Sequence, residues 1–145
     1  MILFDVNVLV LALRADAPQH DRYRRWLEEA VSTPLAFGLA EMVLSSAVRV
    51  LTHPRVFQPP TPLDHALDEL GRLRARPNCV LVAPGPRHWE IFVDLCRRSG
   101  ATGNLVPDAY LAALAIESGS EWITTDRDFA RFPGLRWRHP FQVES

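Results

Sequence analysis

Four carboxylates stand where apolar segments begin or end, and a fifth lies close behind one of them. Asp5 lies near the end of the apolar run MILFDV. Glu41 heads the stripe Leu44, Val48 and Leu51, which follows it at i+3, i+7 and i+10. Asp108 opens the helical stripe Leu111, Leu114 and Ala115. Asp126 follows the β-prone Trp122-Ile123-Thr124, with Asp128 two residues on. Asp5, Glu41, Asp108 and Asp126, drawn together, would repel one another, and some would hold their protons near neutral pH. A divalent cation resolves that conflict. Oxygen ligands suit Mg²⁺ or Mn²⁺, which keep waters and borrow further ligands from a phosphate-bearing substrate. No Cys/His cluster accompanies the acids, which argues against zinc. Each acid also has a plainer use. Asp5 suits a helix cap, and Asp108 suits a helix dipole. Asp126 and Asp128 suit a turn before Phe129, and Glu41 suits a solvated helix face.

The elements that would gather these acids are readable in outline. MILFDV predicts a strand buried on both faces of a parallel sheet. Further strands are expected at Pro34–Phe37, Val80–Val82 and Trp122–Thr124, with a last edge strand at Leu135–Arg138. Helices are expected just after Asp5, from Pro18 or Gln19 to about Ala30, within Gly38–His53, and over Leu63–Arg76, Arg87–Arg98 and Pro107–Ser118. Pro107 suits a first helical position and Gly119 a C-cap. Leu63, Ala66, Leu67, Leu70 and Leu73 form the expected core face of the fourth helix. Strands alternating with helices predict an α/β fold, with all strand C-termini on one edge. Acids at strand ends and helix starts would then meet at the edge where such sheets bind ligands. The C-terminal residues are expected to fray.

Bulk properties narrow the functional classes. A chain of 145 residues predicts one domain, residues 1–145. The composition, 48% hydrophobic and 23% charged, is that of a soluble globule. The formal net charge of -1 excludes polyanion binding by bulk charge alone. Cys79 and Cys96, in contexts that read as buried, show no disulfide framework and no metal-ligand spacing. With no apolar run of membrane-spanning length and no secretory leader pattern at the N-terminus, a cytoplasmic location is expected. There is no lysine; all 16 basic residues are arginine. That removes P-loop and Schiff-base chemistry and disfavours phospho-aspartate receivers. His53, His88 and Trp89 read as a helix end, a cap and core packing. The Arg72, Arg74, Arg76 cluster reads as a solvated face. Leu9, Leu13 and Trp26 suit either core packing or a dimer surface.

Taken in order, several short pieces carry a resemblance. They are Leu3-Phe4-Asp5-Val6-Asn7, Gly38-Leu39-Ala40-Glu41, Thr52-His53-Pro54-Arg55-Val56-Phe57, Arg87-His88-Trp89, Gly103-Asn104-Leu105-Val106-Pro107-Asp108-Ala109, and Thr124-Thr125-Asp126-Arg127-Asp128-Phe129 running on to Leu135. Each piece alone is weak, but the ordered set spans nearly the whole chain. The sequence resembles the PIN-domain ribonucleases of the VapC toxin type. The resemblance implies a three-layer α/β/α fold around a mostly parallel sheet of about four or five strands. It implies a Mg²⁺- or Mn²⁺-dependent endoribonuclease that cleaves structured cellular RNA, held silent by a VapB-like antitoxin and forming a homodimer. Its catalytic acids would be Asp5, Glu41, Asp108 and Asp126, with the metal on Asp5, Asp108 and Asp126 and with Asp128 auxiliary. Asn7, Thr125 and Asn104 would orient carboxylates or water. Arg14, Arg49, Arg55 and Arg87 are candidates for holding the RNA backbone. Two other readings remain open: a catalytically silent PIN scaffold that binds RNA or protein, and an aspartate-nucleophile phosphatase suggested by Asp5-Val6-Asn7. Asn7 in place of a second acid, and the missing lysine, weigh against the latter.

Overall fold

The computed structural model describes residues 1–142. Five short strands form one parallel sheet: β1 (Ile2–Phe4), β2 (Phe37–Leu39), β3 (Cys79–Leu81), β4 (Glu121–Ile123) and β5 (Trp137–Arg138). Their order across the sheet is β3-β2-β1-β4-β5. Six helices connect them: α1 (Val6–Leu13), α2 (His20–Val31), α3 (Glu41–Leu51), α4 (Leu63–Arg74), α5 (His88–Ser99) and α6 (Leu105–Ser118). The arrangement is the expected α/β/α sandwich. Among the described residues no helix is long and apolar enough to cross a membrane.

The strand order explains the patterning. β1 is central, paired with β2 on one side and β4 on the other. Leu3 and Phe4 are therefore wholly buried, as are Trp122 and Ile123 of β4. An apolar run without alternation is what a strand covered on both faces requires. The edge strand β3 leaves Val80 and Leu81 about half exposed. Along α6, Ala109, Ala112, Ala113 and Ala115 are buried beside Leu114, and these small side chains let the helix lie close to its neighbours. Gly119 ends α6 in the left-handed region, φ +67°, and Ser120 N–H closes back on the Ala115 carbonyl at 2.9 Å.

β2 holds a glycine where a side chain has little room. A Cβ on Gly38 would lie 3.1 Å from both Leu3 Cδ1 and Val82 Cγ2. Gly38→Ala is expected to lower the unfolding free energy by about 1–3 kcal/mol. Urea denaturation would register this, and an unchanged midpoint would show that the sheet gives way freely there.

Several expectations need correction. The second strand is not Pro34–Phe37 but Phe37–Leu39. The Asn78 side-chain amide reaches the carbonyls of Val31, Thr33 and Leu35, each at 3.0 Å, and holds that stretch as a turn. Pro107 is the third residue of α6, not the first. Leu63 and Leu67 are exposed, because α4 packs through the narrower stripe Ala66, Leu70 and Leu73. Trp89 is 67% exposed and does not pack in the core. Leu9 is fully buried, while Leu13 and Trp26 are half-buried, Trp26 meeting Phe4 edge-on with ring centres 5.8 Å apart. Cys79 and Cys96 are half-buried free thiols. The frayed C-terminus falls on residues 143–145, outside the described residues.

Candidate active site

The order of the sheet creates one switch point. From β1 the chain steps outward to β2 and β3, then returns to build β4 and β5 on the other side. The connections leaving β1 and β4 diverge there, and open α/β sheets bind ligands in the resulting crevice. Asp5 is the first residue after β1. Phe4 pairs with Ile123, so Thr124 stands opposite Asp5. Asp126 follows two residues later.

Asp5 is 6% exposed. Its Oδ1 accepts the Val6 N–H at 2.7 Å, so it does cap α1. Its Oδ2 accepts the Thr124 hydroxyl at 2.7 Å and the Asn7 amide at 3.3 Å. Thr124 Oγ1 in turn accepts the Asp126 N–H at 3.0 Å, and Asn7 Oδ1 accepts the Thr125 N–H at 3.2 Å. Five residues from the ends of β1 and β4 thus form one hydrogen-bonded frame around a carboxylate. Burial raises the Asp5 pKa to about 6, against the lowering effect of the Thr124 and Val6 hydrogen bonds; the charges of Asp108 and Asp126 raise it further. Asp108, in the first turn of α6, is also raised, first by burial and then by repulsion from Asp126 and Asp128. A protein does not gain stability by burying a carboxylate beside others of like charge. The arrangement calls for a positive ligand.

Asp5, Asp108 and Asp126 line one hollow of about 530 Å³. Among the described residues, Arg49 is the only basic one in its wall. The donors are carboxylate oxygens, the set a hard divalent ion takes. Among the described residues, however, no three His, Cys, Asp or Glu side chains are gathered tightly enough to enclose an ion.

The remaining candidates fall elsewhere. Glu41 begins α3 but turns outward, paired with Arg74 at 3.0 Å, and does not line the hollow. Asp128 is exposed in a 3₁₀ turn (Arg127–Arg131), where its N–H caps back on Asp126 Oδ1 at 2.9 Å. Asn104 is exposed ahead of α6 and its side chain makes no capping bond. Thr125 contributes its backbone N–H. Arg14 is held by Asp16, Thr61 and the Pro59 carbonyl and lies over the Phe57 ring, so it braces the proline-rich loop. Thr124 was not among the sequence candidates. The signal that finds it is strand register: it is the residue of β4's continuation facing Asp5.

A family model described as PIN domain matches residues 2–135. The chain is 44% identical over 145 residues to ribonuclease VapC43 of Mycobacterium tuberculosis, spanning 100% of this chain and 99% of that protein. It is 37% identical over 140 residues to ribonuclease VapC25 of the same organism, spanning 97% and 99%. Among solved structures, the fold is shared with VapBC2 from Rickettsia felis bound to a promoter DNA fragment. There the TM-score is 0.70 at 17% identity, covering 96% of this chain and 98% of that one.

Proposed function

The chain belongs to the PIN-domain family, among relatives named VapC ribonucleases, and from that membership we infer an endoribonuclease, the toxin of a toxin–antitoxin pair, whose catalysis requires Mg²⁺ or Mn²⁺. Its substrate would be structured cellular RNA, transfer or ribosomal, and its partner a VapB-like antitoxin. One structure of similar fold, at 18% identity and a TM-score of 0.63, is that of VapC20 of Mycobacterium tuberculosis, a sarcin–ricin loop cleaving toxin, covering 94% of this chain and 99% of that one. The observation that supports the metal reading is that Asp5, Asp108 and Asp126 line one hollow whose only basic side chain, among the described residues, is Arg49.

Asp5, Asp108 and Asp126 would hold the ion. When bound, it supplies positive charge for the scissile phosphate. The chain's own residues do the rest. Thr124 and Asn7 fix the orientation of Asp5, so that its carboxylate does not have to reorganise during the reaction. Arg49 is placed to hold a phosphate oxygen by a charge-assisted hydrogen bond. Attack by water leaves a 5′-phosphate and a 3′-hydroxyl and does not use the ribose 2′-hydroxyl. Asn7 stands where a phosphatase of the aspartate-nucleophile kind would carry a second acid, and no lysine is present to accompany it, which weighs against that reading.

Metal removal tests this reading. Purified protein incubated with total RNA and Mg²⁺ is expected to produce discrete fragments with 5′-phosphate ends. Excess EDTA should stop cleavage, and added Mg²⁺ or Mn²⁺ should restore it. Undiminished cutting in EDTA, or ends bearing a 2′,3′-cyclic phosphate, would rule the mechanism out.

A further inference from the structure

Between α3 and α4 the chain reads His53-Pro54-Arg55-Val56-Phe57-Gln58-Pro59-Pro60-Thr61-Pro62. A proline has no N–H to give, so a stretch this rich in it closes few backbone bonds of its own. The first half turns on the His53 carbonyl, which accepts the Val56 N–H at 3.0 Å and the Phe57 N–H at 3.1 Å. The far end is tied by the Thr61 N–H to the Leu51 carbonyl at 2.8 Å. The span between is held by a side chain from another element.

That side chain is Arg14, the C-cap of α1, only 11% exposed. Its Nη2 donates to the Pro59 carbonyl at 2.7 Å and to Asp16 Oδ2 at 3.0 Å. Its Nη1 donates to Thr61 Oγ1 at 3.2 Å, and its Nε donates to Asp16 Oδ1. The flat face of the guanidinium lies 4.5 Å from the centre of the Phe57 ring. Four of its five N–H groups are therefore in use, which leaves little to offer a phosphate. Asp16 orients the fork, and the fork grips the loop at Phe57, Pro59 and Thr61.

The loop so gripped is a wall of the acid hollow. Val56 and Phe57 line the space that Asp5, Asp108 and Asp126 also line, and Val56 is 52% exposed. One helix connects this wall to the buried acid. Asp5 is the N-cap of α1, Arg14 is its C-cap, and Val10 and Leu11 between them line the same hollow. Eight helical residues span about 12 Å and do not stretch, so α1 sets how far the wall stands from Asp5. We propose that Arg14 is a positioning residue that holds Val56 and Phe57 as a ready-made wall against which RNA seats beside the acids. What the wall serves rests on the nuclease reading; the grip on the loop does not. A wall formed in advance adds no ordering cost to binding. A loop that must first close lowers the apparent affinity by its closed fraction and leaves the bound complex unchanged.

Arg55, exposed within the loop, gives a readout that needs no RNA. Trypsin cuts after Arg55 when the loop opens, whereas a cut after Arg98 requires α5 to unravel. Arg14→Gln removes the fork. Thr61→Val removes one of its acceptors and keeps the shape. Cleavage after Arg55 is expected to quicken about 10- to 100-fold in Arg14→Gln and less in Thr61→Val, with the rate after Arg98 unchanged. The second readout is steady-state cleavage of total RNA at saturating Mg²⁺, followed through the discrete product that wild type makes. There KM should rise about 3- to 10-fold in Arg14→Gln while kcat holds. If Arg14→Gln does not fold, Thr61→Val carries both readouts. Unchanged cleavage after Arg55 in both variants would overturn the proposal. So would equal acceleration after Arg98 in both, which would make Arg14 a support of the whole fold. A loosened loop with KM unchanged would deny the wall any part in seating RNA, and a fall in kcat at constant KM would place Arg14 at the reacting group. A loosened loop in a protein that cuts no RNA with any divalent ion would remove the nuclease reading and leave the grip of Arg14 standing.

Discussion

Asp5→Asn is expected to abolish RNA cleavage and, in metal-free buffer at neutral pH, to raise the melting temperature. The two effects share one cause. Asp5 is buried, and its pKa is raised to about 6 by desolvation and by the neighbouring acids. A carboxylate with a raised folded-state pKa binds its proton more tightly when folded than when unfolded. Its contribution to stability is full below about pH 4, falls as pH rises toward 6, and levels off above that. A shift of about two units corresponds to roughly 3 kcal/mol at most. Asparagine escapes the ionisation cost but sets its amide against that of Asn7, so the net gain should be about 1–2 kcal/mol. The advantage over wild type should vanish as the pH is lowered through 6 toward 4. Added Mg²⁺ should stabilise wild type more than the variant, because only wild type has the full set of acids to bind it. Loss of Asp5, the buried acid proposed to hold the ion, is expected to remove several kcal/mol of transition-state stabilisation, on the order of a thousandfold or more in rate. A variant that still cuts RNA, or that melts below wild type at pH 7.5 without metal, would contradict the account.

The second large effect is expected at a residue that touches neither metal nor substrate. Thr124 donates to Asp5 and accepts from the Asp126 N–H and, at 3.4 Å, from the Asn7 amide. Valine has the same shape and can do none of these. Thr124→Val leaves the Asp126 N–H without its partner, at a cost of about 1–3 kcal/mol. It also removes the hydrogen bond that lowers the Asp5 pKa, so that pKa should climb further above its wild-type value. Activity should fall about 10- to 100-fold, the usual cost of losing a group that orients a ligand. The loss should be partly recovered at higher pH and higher Mg²⁺ concentration, and Thr124→Ser should restore most of it. If raised pH brings no recovery, Thr124 is only a packing residue.

The sequence made some of this legible and hid the rest for physical reasons. Asp5 and the strand before it could be read because a run buried on both faces leaves no room for a charge without a purpose. Asp108 and Asp126 could be read because both follow strong local signals, a helix start and a strand end. Thr124 could not, because a threonine at a strand end is ordinary until the register with β1 is known. Glu41 shows the converse: its periodicity with Leu44, Val48 and Leu51 is real, but periodicity fixes which helix turn a residue occupies and not where a long flexible side chain points. Arg74 arrives from another helix to pair with it. Trp89 and Leu67 fit helical stripes, yet the stripes that pack are narrower than the apolar runs in the sequence.

The position of β1 at the middle of the sheet has a consequence for synthesis. The bond from Thr124 to Asp5 joins residues 119 positions apart. A ribosome translating this message releases the first partner on the order of ten seconds before the second. Until β4 has emerged and slid in beside β1, the frame around Asp5 does not exist. A prematurely terminated product ending ahead of Glu121 would lack both Thr124 and Asp126. The cell that makes this enzyme is thus shielded from any copy that stops ahead of Thr124.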